Sequence, residues 1–213
     1  MGVYKKGING PFSGKAGSVI GSKWRKVDYM RGISKPTHKP ASEAQTAQRE
    51  KFRILSAFLY PMAKLLKIGY SNEDVRFKTA YNIAFGYNLK WAVVLKDGKW
   101  KIDYSRIALS RGSLPKPVEA TVEVTPEKKF LVRWSAEIKN SFISPEDKVN
   151  LVFYHENTVS HFLSTGCLER REGQALLDPP DIPEPGTWQC FMFYTSPYGD
   201  NSQTQYLGEI QTN

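Results

Sequence analysis

A chain of 213 residues with 40% hydrophobic side chains, 16 Gly, 13 Pro and two Cys can bury a core as one domain or two small ones without metal or disulfide staples, which excludes collagen-like, coiled-coil and disulfide-scaffold classes. Its longest apolar runs, such as Trp91–Leu95, are five residues, far short of the ~20 a membrane helix needs, so no membrane partner is expected. Charge divides the chain: residues 1–112 carry 22 Lys and Arg against 7 Asp and Glu, a balance of +15, whereas residues 113–213 carry 8 against 14, a balance of −6, the asymmetry expected of two modules with different partners.

The basic start at Lys5 and Lys6 runs into Gly7, Asn9, Gly10 and Pro11 where a secretory signal needs an apolar core, so a cytoplasmic or particle-associated location is expected. Further glycines and prolines at Gly14, Gly17, Gly21, Gly32, Pro36 and Pro40 exclude a helix and predict an arm of short extended pieces joined by turns. This arm holds nine Lys and Arg with one acid, Asp28. It has too few apolar side chains to offset its ordering entropy, so it is expected not to fold on itself. If Lys23–Arg31 is one strand, Lys23, Arg25, Val27, Tyr29 and Arg31 share a face, and Trp24, Lys26, Asp28 and Met30 share the other.

Ser42-Glu43-Ala44-Gln45 has the form of a capping box and starts a helix. Leu55, Phe58, Leu59, Met62, Leu65 and Leu66 then recur at three-four spacing as one buried stripe, and Pro61, lacking an N–H, breaks the helix near Ala57–Tyr60. A weaker helical pattern runs through Phe77, Ala80, Tyr81, Ala84, Tyr87 and Asn88. Lys96-Asp97-Gly98-Lys99 reads as a turn between extended runs Trp91–Leu95 and Trp100–Leu109. Leu114-Pro115-Lys116-Pro117 reads as a linker. Beyond it, alternation marks strands at Val118–Val124, Phe130–Trp134, Val149–Phe153, Trp188–Tyr194 and Tyr206–Ile210, with Trp134 at the centre of their packing. The expected fold is α+β in two modules: a basic N-terminal arm with helices over 1–112, then an all-β immunoglobulin-like sandwich over 113–213.

The run Ile8-Asn9-Gly10-Pro11-Phe12-Ser13-Gly14-Lys15-Ala16-Gly17-Ser18-Val19-Ile20-Gly21-Ser22-Lys23-Trp24-Arg25, followed by Tyr29-Met30-Arg31, resembles the opening of an uncharacterised bacterial family found mostly in Bacteroidota. The resemblance continues through Ala47-Gln48-Arg49-Glu50-Lys51-Phe52, Ile102-Asp103-Tyr104 and Ser110-Arg111-Gly112-Ser113-Leu114-Pro115 to Tyr206-Leu207-Gly208-Glu209, nearly the whole chain. That family is a domain of unknown function, so the resemblance implies no catalytic residues. Pro117–Trp134 is similar in pattern to the first two strands of fibronectin type III or immunoglobulin-like modules.

Motifs for catalysis fail on spacing. Gly10-Pro11-Phe12-Ser13-Gly14-Lys15-Ala16 has three residues between its glycines where a phosphate loop needs four, and Ala16 where it needs Ser or Thr. His155-Glu156 and His161 are six apart where a zinc-protease helix needs four, and adding Cys167 makes a metal set that nothing brings together. Cys190 follows the apolar alternation, and free thiols are expected at Cys167 and Cys190. No enzyme, cofactor or small-molecule substrate is expected.

What remains is cations interleaved with aromatics: Lys15, Lys23, Trp24, Arg25, Tyr29 and Arg31 are the candidate interface or polyanion-binding residues. Self-association or docking onto other subunits, as a structural protein of a larger assembly, is the leading expectation; a virion- or phage-like particle fits such a design. Sequence-independent binding of DNA or RNA by the basic half is the alternative. A carbohydrate- or peptide-binding sandwich, using Tyr194, Tyr198 and Tyr206, is a third.

Overall fold

The computed structural model describes residues 3–4, 10–24, 27–35, 40–73, 77–138, 142–180 and 185–212. It is an α+β protein that divides into two compact units, Met1–Ser42 and Glu43–Asn213. The charge boundary at 112/113 falls inside the second unit.

In the first unit the extended pieces pair with one another. β1 (Val3–Tyr4), β2 (Phe12–Ala16), β3 (Val19–Trp24) and β4 (Val27–Gly32) form an antiparallel sheet in sequence order. The arm expected not to fold on itself therefore does pair with itself, because backbone hydrogen bonds need no apolar side chains. The entropy reasoning survives in the burial: among its described residues only Gly21 is buried. A methyl group on Gly21 would lie 2.2 Å from the Phe12 carbonyl oxygen and 2.7 Å from its ring, so only glycine admits that ring.

The second unit begins with α1 (Glu43–Leu59) and α2 (Ala63–Gly69), separated around Pro61 as expected, and α3 (Ala80–Trp91), whose Thr79 side chain accepts from the Asn82 amide 3.0 Å away. Trp91 closes this helix rather than opening a strand. β5 (Val93–Lys96) and β6 (Lys99–Ile102) form a hairpin. Asp97 and Gly98 both have positive φ, 53° and 73°, as a two-residue Asp-Gly turn requires.

Seven strands follow: β7 (Thr121–Val124), β8 (Phe130–Arg133), β9 (Lys148–His155), β10 (Ser160–Glu169), β11 (Gln174–Leu177), β12 (Gly186–Thr195) and β13 (Gln205–Thr212). They make a three-stranded sheet, β11-β8-β7, and a four-stranded one, β10-β9-β12-β13, all antiparallel. Phe130, Val132 and Trp134 share one core with Val149, Leu151 and Phe153 of β9 and Trp188, Cys190, Met192 and Tyr194 of β12. Trp134 is buried within it and its indole donates to the Arg170 carbonyl oxygen at 2.8 Å.

The intervening residues of the same two strands, Val152, Tyr154, Phe191 and Phe193, enter a second core with Leu55, Phe58, Leu59, Leu65 and Leu66 of the helices. The central sheet is thus covered on both faces, which is why its strands read as nearly continuous apolar runs. The helices belong with the strands.

The stretch expected to be a linker is stitched into this unit. The Leu114 amide donates to the Asn201 carbonyl oxygen at 3.0 Å, and the Asn201 side chain donates to the Ile68 carbonyl oxygen at 2.8 Å. Buried Asn88 on α3 donates to the Ala108 carbonyl oxygen and accepts from the Ala108 amide, each at 2.8 Å. These bonds satisfy buried backbone groups that a free linker would leave to water. Among the described residues no helix is long and apolar enough to cross a membrane.

Candidate functional site

Five of the six residues singled out in the sequence are described; Arg25 lies outside the described residues. Lys23–Arg31 is a hairpin rather than one strand: β3 pairs with β4 through Ile20 opposite Arg31, Ser22 opposite Tyr29, Lys23 opposite Asp28 and Trp24 opposite Val27. Opposed residues share a face, so the reversal after Trp24 regroups the side chains. Trp24 joins Val27, Tyr29 and Arg31, and Lys15, opposite Ile20 on β2, joins them. Lys23 moves to the other face, its ammonium 3.9 Å from the Asp28 carboxylate. Among the described residues one face therefore carries two cations and two aromatic rings, with Trp24 50% and Tyr29 43% exposed. On β4 every residue is exposed, and its pairing is to β3 alone among the described residues.

A second constellation lies in the second unit and includes Tyr206, one of the three tyrosines singled out for a sandwich ligand. A cavity of about 590 Å³ is bounded by α1, the β5–β6 hairpin and β9, β12 and β13. At its base the Gln189 side-chain amide donates to Glu156 at 2.7 Å and to Glu209 at 3.2 Å, and accepts from the Tyr206 hydroxyl. The Tyr104 and Tyr154 rings lie side by side, centres 5.7 Å apart. Burial raises the pKa of all three tyrosines, that of Tyr206 to about 12. Their hydroxyls stay neutral at physiological pH and offer both donors and acceptors. Two segments that carry the family resemblance, Ile102–Tyr104 and Tyr206–Glu209, meet here. Gln189, between Trp188 and Cys190, was visible only as the off-beat residue of an apolar alternation.

The other sequence candidates have structural places. The His155 ring is buried beside Trp188, centroids 4.9 Å apart, with Nδ1 2.7 Å from the Thr158 hydroxyl. His161 points away from it, Nε2 3.1 Å from the Phe58 carbonyl oxygen. Among the described residues no group of three or more His, Cys, Asp or Glu is arranged to hold a metal ion. Cys190 is buried and Cys167 exposed, both as free thiols. Tyr194 is fully buried, its ring under the Arg170 guanidinium at 3.6 Å, so it offers no surface to a ligand; Tyr198 is 94% exposed.

No curated protein matches the chain. Residues 11–208, which run from β2 of the N-terminal sheet to the middle of β13, match the family of unknown function DUF6266. The chain belongs to that family.

Proposed function

We propose that the protein is a non-enzymatic assembly component that docks onto further copies of itself through its N-terminal sheet. The observation that carries this reading is a four-stranded sheet that buries one glycine among its described residues while presenting Trp24, Val27 and Tyr29 beside Lys15 and Arg31. A small sheet with aromatics exposed on one face and an open edge strand is stabilised by a surface that covers it. The partner that complements its charge is the β-rich half, net −6, of another copy. Trp24 and Tyr29 are the aromatic anchors of such a contact.

We read β7–β13 as an immunoglobulin-like module of the fibronectin type III kind. The strand orders β11-β8-β7 and β10-β9-β12-β13 over one core support this. Sedimentation velocity over a concentration series tests the assembly role. Oligomers are expected, and Trp24→Ala with Tyr29→Ala should shift them to monomer; a protein that stays monomeric at high concentration, with or without these substitutions, overturns it.

The Tyr104–Tyr154–Tyr206 cavity favours a second reading, binding of a hydroxylated ligand such as a carbohydrate, since neutral hydroxyls and carboxylates there offer donors and acceptors side by side. Calorimetric titration with neutral oligosaccharides, comparing wild type with Tyr206→Phe, tests it; heats that are absent, or equal in both proteins, discard it.

A further inference from the structure

A different cavity, of about 440 Å³, opens beside the C-terminal turns of α3 and the segment 105–116, and its chemistry is one-sided. Its charged lining side chains are Arg106, Arg111 and Lys116, without a carboxylate among them, and its rings are Tyr87 and Trp91. The acids that touch these cations act from outside the lining: Asp103 is 3.2 Å from Arg106 and Glu73 is 3.5 Å from Arg111. Both arginines are thereby oriented. The Arg111 guanidinium also lies 5.1 Å from the Tyr87 ring centre, and the Lys90 ammonium, outside the lining, lies 4.6 Å from that of Trp91. Trp91 is 49% exposed although it closes a helix.

These features select a ligand class. Asp103 and Glu73 offset the charge of Arg106 and Arg111 while leaving their remaining N–H donors to the cavity, and Lys116 and the nearby Lys90 supply the excess positive charge, which favours an anion and opposes a cation. A half-exposed indole beside them offers a stacking surface that phosphate alone does not need. An exposed Gln203 amide adds a donor and acceptor suited to a base edge.

We propose that this groove binds single-stranded nucleic acid, with a base stacked on Trp91 and neighbouring phosphates on Arg106, Arg111 and Lys116. A single strand is required because a paired base does not expose its face to a side chain. The site is independent of the N-terminal sheet and of its proposed role in assembly.

Anisotropy titration of the full chain with a fluorescent oligothymidylate is the test. Binding at low salt is expected, with log affinity falling against log salt at a slope of about −2 for three single-strand phosphates. Trp91→Ala should weaken binding about 5- to 150-fold, the range that loss of one stacked base allows. Lys116→Ala, on an exposed side chain, should make the slope shallower by about 0.7. Lys15→Ala with Arg31→Ala should leave this binding unchanged. Absence of binding at low salt overturns the proposal. So does loss of binding in the Lys15/Arg31 variant with Trp91→Ala and Lys116→Ala unaffected. Thymidine monophosphate binding as tightly as the oligomer would also overturn it, in favour of a free-nucleotide site. Far-UV circular dichroism matching wild type qualifies each variant, and Lys116→Ala keeps the test decisive if Trp91→Ala fails to fold.

Discussion

Replacing Phe58 with alanine asks whether the helices and the β-sheets unfold as one body. Phe58 on α1 is 1% exposed, meets Tyr154 of the central sheet edge-on at 4.9 Å, lies 6.3 Å from Phe191, and meets Tyr104 at 5.8 Å. Truncating a buried phenylalanine costs about 3–5 kcal/mol through lost transfer energy and the cavity left behind, and its aromatic contacts place this one in the middle of that range or above. At about 4 kcal/mol, and about 2–4 °C per kcal/mol for a cooperative unit the size of Glu43–Asn213, Phe58→Ala should melt roughly 8–16 °C below wild type. Far-UV circular dichroism follows the helices, and near-UV circular dichroism follows the packed aromatics of both cores, Trp134 and Trp188 of the opposite core among them. The two transitions should coincide in wild type and move together in the variant. A near-UV transition that stays at the wild-type temperature while the helices melt early would refute the shared core and restore a module boundary near 112/113.

Three further outcomes follow from named contacts. Burial holds the His161 imidazole below its ordinary pKa of 6.5, so unfolding takes up a proton; the melting temperature should fall as pH drops below about 6.5, and His161→Gln should flatten that slope, whereas an identical profile in the variant contradicts it. A methyl group on Gly69 would sit 2.2 Å from the Leu109 carbonyl oxygen, and one on Gly86, exposed within α3, would meet nothing within 4 Å. In urea denaturation Gly69→Ala should therefore destabilise by about 1–3 kcal/mol, while Gly86→Ala should stabilise by about 0.5–1 kcal/mol; the same sign for both would contradict the packing described. Cys167 should react with a thiol reagent in the native protein and Cys190 only after unfolding, because Cys190 has no exposed surface and burial pushes its thiol well above the usual range; two native-state equivalents would contradict this.

Short-range physics was legible in the amino-acid order. The three-four spacing around Leu55–Leu66, the break at Pro61, the Asp97-Gly98 turn and the alternation at Phe130, Val149 and Trp188 each depend on neighbours a few residues away, and each marks an element that forms. β10 and β11 left little trace. β10 is an edge strand whose ten residues are all intermediate or exposed, so no face of it is buried strongly enough to impose a strict alternation.

The candidate residues were legible as types but not as a surface. Nothing in the composition of Lys23–Arg31 announces that the chain reverses after Trp24, and that reversal alone decides that Trp24, Tyr29 and Arg31 share a face while Lys23 pairs with Asp28. The two cavities lay further out of reach, since Tyr104, Gln189 and Glu209 meet across more than a hundred positions. Whether an off-beat residue of a central strand faces water or a helix depends on what packs over the sheet. Here the helices of the basic half settle onto β9 and β12, so Val152, Phe191 and Phe193 enter a second core and Gln189 becomes the floor of a cavity, an outcome that burial of both faces decides and that no local pattern encodes.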